Sequence, residues 1–115
     1  MWSAGEVLSA MVAAFDTGHV DDVSVFVDDG YIDHQGLRGQ EVCGAAGFVR
    51  VVEGARGGCD ALAVSIEDLI EDGDRAVARL RWTGTRPTGE VVERETIEIV
   101  HVRAGRAVEH WGGRS

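Results

Sequence analysis

Residues 75–84, RAVARLRWTG, alternate without interruption. Ala76, Ala78, Leu80 and Trp82 fall on one side of an extended chain, and Val77, Arg79, Arg81 and Thr83 on the other. A period of two is the mark of a strand with one face toward a core. Such a strand needs neighbours for its backbone groups, and the flanking sequence supplies them. "DGD" at 72–74 reads as a hairpin turn back to residues 61–71, which hold Leu62, Val64, Ile66, Leu69 and Ile70. A loop with the sole proline, Pro87, leads to a long strand over 90–103. "AG" at 104–105 turns, and 106–112 pairs back. The second half is therefore an antiparallel meander.

The first half has a different period. Val7, Leu8, Met11, Val12 and Phe15 recur at helical spacing and predict an amphipathic helix over 3–17, closing near Gly18. Val20, Val23 and Phe26, or Val23 and Val27, fit a short second helix, which "DDGYIDHQG" breaks. Tyr31 and Ile32 suggest a short extended piece, and Gly36–Gly39 a turn. Glu41 to Gly54 reads as a third helix with Val42, Ala46, Phe48, Val49 and Val52 on its apolar side, against the helix-weakening Gly44 and Gly47. Helices followed by a meander make one α+β domain over residues 1–115, with helices packed on one face of a curved antiparallel sheet. That shape is a cone with an apolar pocket, where ligands sit among a few polar groups.

Composition narrows the partners. The 115 residues suffice for one core, and 44% of them are hydrophobic. A net charge of −9 argues against nucleic acid and against an anionic membrane surface. Glu6 interrupts the apolar N-terminal stretch, which lacks the basic region of a signal peptide, and no run reaches transmembrane length. Cys43 and Cys59 have neither metal-site nor CxxC spacing. They read as buried or half-buried thiols in a reducing compartment, with a disulfide as the alternative, and the expected location is the cytoplasm. No phosphate loop, metal-ligand cluster or nucleophile elbow is present, so no cofactor and no metal are expected.

Three places could carry chemistry. On the long strand, Thr96, Glu98, Val100 and Val102 share one face, and Ile97, Ile99, His101 and Arg103 the other. Its middle is apolar on both faces, which allows both to be covered. Glu98 then has no cation beside it on its own face, and burial would raise its pKa. A neutral carboxylic acid in a pocket can donate to a developing oxyanion. The competing reading pairs Glu98 across the sheet with Arg79 or Arg81. Asp33-His34 is the second place: Asp33, after a short apolar strand, suits a general base, or else a turn. His110-Trp111 is the third, as pocket wall or as plain core. His19 looks solvated, and His101 suits packing or a dimer surface.

Three stretches carry a resemblance: "MVAAFDTGHVDDVSVFVDDGYIDH", "DLIEDGDRAVARLRWTGT" and "IEIVHVRAGRAVEHW". Over roughly residues 5–111 the chain resembles the SnoaL-like polyketide cyclases of the nuclear transport factor 2-like superfamily. The resemblance implies the α+β cone, a homodimer through the sheet, and an apolar polyketide-like substrate. In those cyclases an aspartate on the last strand is the acid/base, with a histidine on the preceding strand; the aligned positions here are Gly112 and Glu98. In the related ketosteroid isomerases the base aspartate aligns near Asp33, the oxyanion-hole acid with Glu98, and an oxyanion tyrosine near Met11. The Arg and Asp pattern of limonene-type epoxide hydrolases is not met, since Arg79 and Arg81 have no such Asp. The connection "GTRPTGEVV" is shorter than the family's usual loop, which implies a more open pocket mouth.

Two functions fit. The first is proton transfer next to a carbonyl, isomerisation or cyclisation, with Asp33 and Glu98 as catalytic carboxylates. Met11, Phe15, Tyr31, Trp82, Val100, His110 and Trp111 would then bind the substrate. The second is a ligand-binding or accessory protein, including a component of a partner-dependent oxygenation, for which the loss of the acid/base at Gly112 speaks.

Overall fold

The computed structural model describes residues 1–114. Helix α1 spans Ala4–Thr17, and a single 3-10 turn follows at Val23–Val25. Then come strands β1 (Val27–Leu37) and β2 (Gln40–Cys43), helix α2 (Gly44–Gly57), and strands β3 (Ala61–Asp72), β4 (Arg75–Thr85), β5 (Val91–Arg103) and β6 (Arg106–Arg114). The six strands form one curved sheet in the order β2-β1-β6-β5-β4-β3. All neighbours are antiparallel except β1 and β6, which run parallel. The α+β cone expected from the sequence is therefore present, as a mixed sheet rather than a pure meander.

Several boundaries differ from the sequence reading. The second helix shrinks to three residues because β1 already begins at Val27. What looked like a short extended piece at Tyr31-Ile32 is an eleven-residue strand. Residues 41–43 leave the third helix and pair with β1 as an edge strand, so that helix begins at Gly44.

Helix α1 is set by its ends. Ser3 accepts from the Glu6 N–H while the Glu6 carboxylate accepts from the Ser3 N–H, a reciprocal cap. Gly18 closes the helix at φ 78°, and its N–H donates to Ala14 O. The buried stripe of Val7, Leu8, Met11 and Val12 lies in the concave face of the sheet, against Ala76, Ala78 and Leu80 of β4 and Val100 and Val102 of β5. Phe48 and Val52 of α2 complete the core, with Phe48 edge-on to Phe15, Phe26 and Tyr31. No helix among the described residues is long and apolar enough to cross a membrane.

Only the concave face is covered by helices. The convex face carries the ion pairs Arg79–Glu95 (3.0 Å), Arg81–Glu67 (2.8 Å) and His101–Asp74 (3.0 Å) around the half-buried Ile97 and Ile99. Arg79 and Arg81 thus pair with carboxylates other than Glu98.

One irregularity governs the β5–β6 hairpin. Arg103 faces Arg106 and Val102 faces Ala107, but His101 faces Glu109, so Val108 is an extra residue. This bulge shifts the rest of β6 by one position, and with a period of two every later side chain changes face.

The mouth of the cone is fastened by Arg56 of α2. Its Nη1 donates to Phe15 O at 2.7 Å and Asp16 O at 2.9 Å, satisfying carbonyls at the end of α1. Replacing Arg56 by Met should destabilise the protein by about 1 kcal/mol, since a charged donor is lost from two carbonyls, one part-buried and one exposed. A thermal melt unchanged by Arg56→Met would refute this account of the helix–helix link.

Candidate active site

His110 is the centre of the site. The bulge turns it, and Gly112, into the cone. Its Nδ1 lies 2.8 Å from Asp33 Oδ1 and its Nε2 lies 2.6 Å from Glu98 Oε1. Asp33 comes from β1 and Glu98 from β5, the two strands that flank β6. Side-chain exposures are 4% for Asp33 and 12% each for His110 and Glu98, so the three form a chain largely shielded from water.

Their protonation follows from this geometry. Burial by itself would lower the pKa of His110. Hydrogen bonds to Asp33 and Glu98, and the charges of both, overcome it and hold the pKa at about 9. Near neutral pH the ring is therefore an imidazolium, held between Asp33 and Glu98. For Asp33, burial works toward a higher pKa, but His110 and the N–H groups of Gly36 and Gln35 bring it below the ordinary carboxylate value. All three of these donors meet Oδ1. The Tyr31 hydroxyl is buried without a hydrogen-bond partner, and burial plus the charges of Asp33 and Glu98 raise its pKa far above the usual value.

A small cavity of about 30 Å³ opens beside this chain. It is lined by Glu98 and His110, by Leu8, Met11, Val12 and Phe15 of α1, and by Phe48, Leu80 and Trp82. Trp82 also lines a larger cavity of about 380 Å³ at the mouth of the cone. Its Nε1 donates to Thr96 Oγ1 at 2.8 Å, and its ring meets Phe15 edge-on at 5.2 Å. The indole thus stands between the two spaces.

The structure brings Met11, Phe15, Trp82, Glu98 and His110 to one cavity. Asp33 touches this group through His110 rather than by lining the space. Tyr31 and Val100 are fully buried in the core and line neither cavity. Trp111 departs from the expected pocket wall. It faces the opposite side of the sheet, stacked on His34 at 5.2 Å with the Arg75 guanidinium above it. His34 there lies 2.6 Å from Glu41 and 2.7 Å from Glu109, and those hydrogen bonds raise its pKa. An unbulged hairpin would have put Trp111 inside and His110 outside; alternation alone carries no sign of the extra residue.

A side chain at position 112 would have to move the Glu98 carboxyl. Gly112 faces Glu98 directly across the β5–β6 pair. A Cβ on Gly112 would overlap Glu98 Oε1 and lie 2.9 Å from the carboxyl carbon. The Glu98 carboxyl occupies the space a residue-112 side chain would need. Among the described residues, no group of His, Cys, Asp and Glu is arranged to hold a metal ion.

Comparisons with known proteins agree with this architecture. A Bacillus cereus protein described as a polyketide cyclase superposes with a TM-score of 0.85 at 27% identity, covering 96% of this chain and 72% of that one. A SnoaL-like polyketide cyclase from Agrobacterium tumefaciens gives 0.82 at 18% identity, covering 100% and 93%. AclR of Streptomyces galilaeus, described as a hydroxylase, gives 0.76 at 23% identity, covering 93% and 75%. No curated protein matches the sequence. The profile of the SnoaL-like polyketide cyclases matches residues 5–113, and the chain belongs to that family.

Proposed function

We propose that this protein is an acid/base enzyme that moves a proton next to a carbonyl in an apolar, polyketide-like substrate. The hydrogen-bonded chain Asp33–His110–Glu98 beside an apolar cavity carries this reading. The imidazolium Nε2–H is placed to donate to a carbonyl oxygen that displaces Glu98 Oε1. Glu98 then takes the proton from the adjacent carbon, the C–H electron pair moves onto oxygen, and the enolate is stabilised by the His110 cation. Return of the proton to another carbon isomerises the substrate; attack of the enolate carbon on a second carbonyl closes a ring. Asp33, expected as the general base, is instead a positioning residue that fixes the ring and its charge, because it meets the cavity only through His110, and Glu98, expected as a neutral acid, takes the base's part.

The inner cavity is far smaller than such a substrate, so entry requires the Trp82 indole to swing out of the way. That same observation favours the second reading, in which the outer cavity holds a ligand and no chemistry follows. We place the protein in the cytoplasm, where the thiols of Cys43, exposed rather than buried or half-buried as expected, and of the half-buried Cys59 would stay reduced, with neither nucleic acid nor membrane as partner. We further propose a homodimer through the convex sheet face, where Ile97 and Ile99 lie half-buried. Sedimentation should show a dimer that Ile99→Glu converts to monomer; a monomeric wild type would overturn it.

The catalytic reading is tested by deuterium exchange at the α-carbon of 2-tetralone, followed by NMR. His110→Gln and Glu98→Gln should each slow exchange by about 10²–10³-fold. Asp33→Asn should move the alkaline limb of the pH profile to lower pH, which a merely structural role would not do. Exchange equal in wild type and both direct variants, with tetralone still bound, would leave the binding protein as the correct reading.

Stability should follow the same imidazolium. The folded pKa of His110 lies above the unfolded value of 6.5. Its contribution is therefore complete below pH 6.5 and is lost as pH rises through about 9. The difference corresponds to about 3 kcal/mol. Melting temperature should fall across this interval in wild type and much less in His110→Gln. Parallel curves for the two proteins would contradict the buried cation.

A further inference from the structure

The outer cavity is one of two arginine-lined spaces without a carboxylate, the other lying at Arg38 and Arg50. Acidic residues outnumber basic ones 20 to 11, yet the charged residues lining this space are Arg86 and Arg94, with no carboxylate. The remaining walls are mainly apolar, with Leu62, Trp82 and Val92 among them. Arg86 is engaged, its Nη1 lying 3.3 Å from Glu90 across the tight turn between β4 and β5. Arg94 has no ion-pair partner among the described residues. It stands directly across from Trp82 in the β4–β5 ladder. By strand alternation it shares a face with Thr96 and Glu98.

We infer that the outer cavity takes an elongated apolar ligand with an anionic end, a carboxylate, seated on Arg94. The ligand's carbon skeleton runs inward past Trp82 toward Glu98 and His110. A free guanidinium at an apolar mouth recognises a planar carboxylate through paired N–H donors. The walls sharpen the choice: the cavity at Arg38 and Arg50 has no aromatic wall, whereas the outer cavity shares Trp82 with the space beside Glu98 and His110. Four residues of strand separate Arg94 from Glu98, about 13 Å. The anionic group therefore lies about that far from the carbon that exchanges its proton. Taking this ligand as the substrate rests on the acid/base reading above; the preference of the cavity for an anion does not.

The probe is 2-naphthylacetate, compared with its neutral amide, titrated by calorimetry into the wild-type chain. The acid should bind at least 10-fold more tightly than the amide. Arg94→Gln should abolish that difference while leaving amide binding in place, and Arg94→Lys should retain part of it. His110→Gln should keep the preference, which separates this inference from the catalytic one. Equal affinity for acid and amide, no binding of either, or an undiminished preference in Arg94→Gln would overturn it.

Discussion

The contact between Asp33 and His110 holds the cone together at its most irregular seam. β1 and β6 are the one parallel pair in the sheet, and their register slips between Val27 and Ile32. Backbone pairing alone would leave that seam weakly specified. The 2.8 Å link from Asp33 to His110 fixes the position at which the strands meet. Burying an ion pair carries a desolvation cost, and a lone buried carboxylate carries a larger one. Here two backbone N–H groups and the imidazolium share Asp33, and the second carboxylate shares the ring. The charges that would enable catalysis are thus the same charges that settle the sheet's register.

The two strands repeat this chemistry on both faces. Asp33 and His34 are consecutive and point to opposite sides, as do Glu109 and His110. Inside, the aspartate of β1 meets the histidine of β6; outside, the histidine of β1 meets the glutamate of β6. Each strand supplies an acid to one face and a base to the other. The outer cluster is more exposed, with 30% of the His34 side chain open to solvent. Screening by water weakens it relative to the buried one.

Much of the fold could be read from periodicity. The alternation in β4 and the spacing of Val7, Leu8, Met11 and Val12 are direct prints of a sheet face and a helix stripe. Sequence reading was poorer where pairing rather than propensity decides. Glu41 to Cys43 fit a helix until β1 offers an edge to pair with, and Val20 to Phe26 fit one until β1 begins. The site was half readable. Glu98 and Asp33 drew notice as carboxylates beside apolar strands, but their shared partner did not. An extra residue at Val108 decides whether His110 or Trp111 enters the cone, and no pattern of types announces it.

The close approach at Gly112 also limits how this site can change. A carboxylate on β6 and the present carboxylate on β5 compete for one volume. Adding a side chain at 112 first would collide with Glu98, whereas shortening Glu98 first would strip the His110 cation of one of its two anions. The two positions are therefore coupled: a side chain at 112 moves the Glu98 carboxyl, and with it the contact to His110.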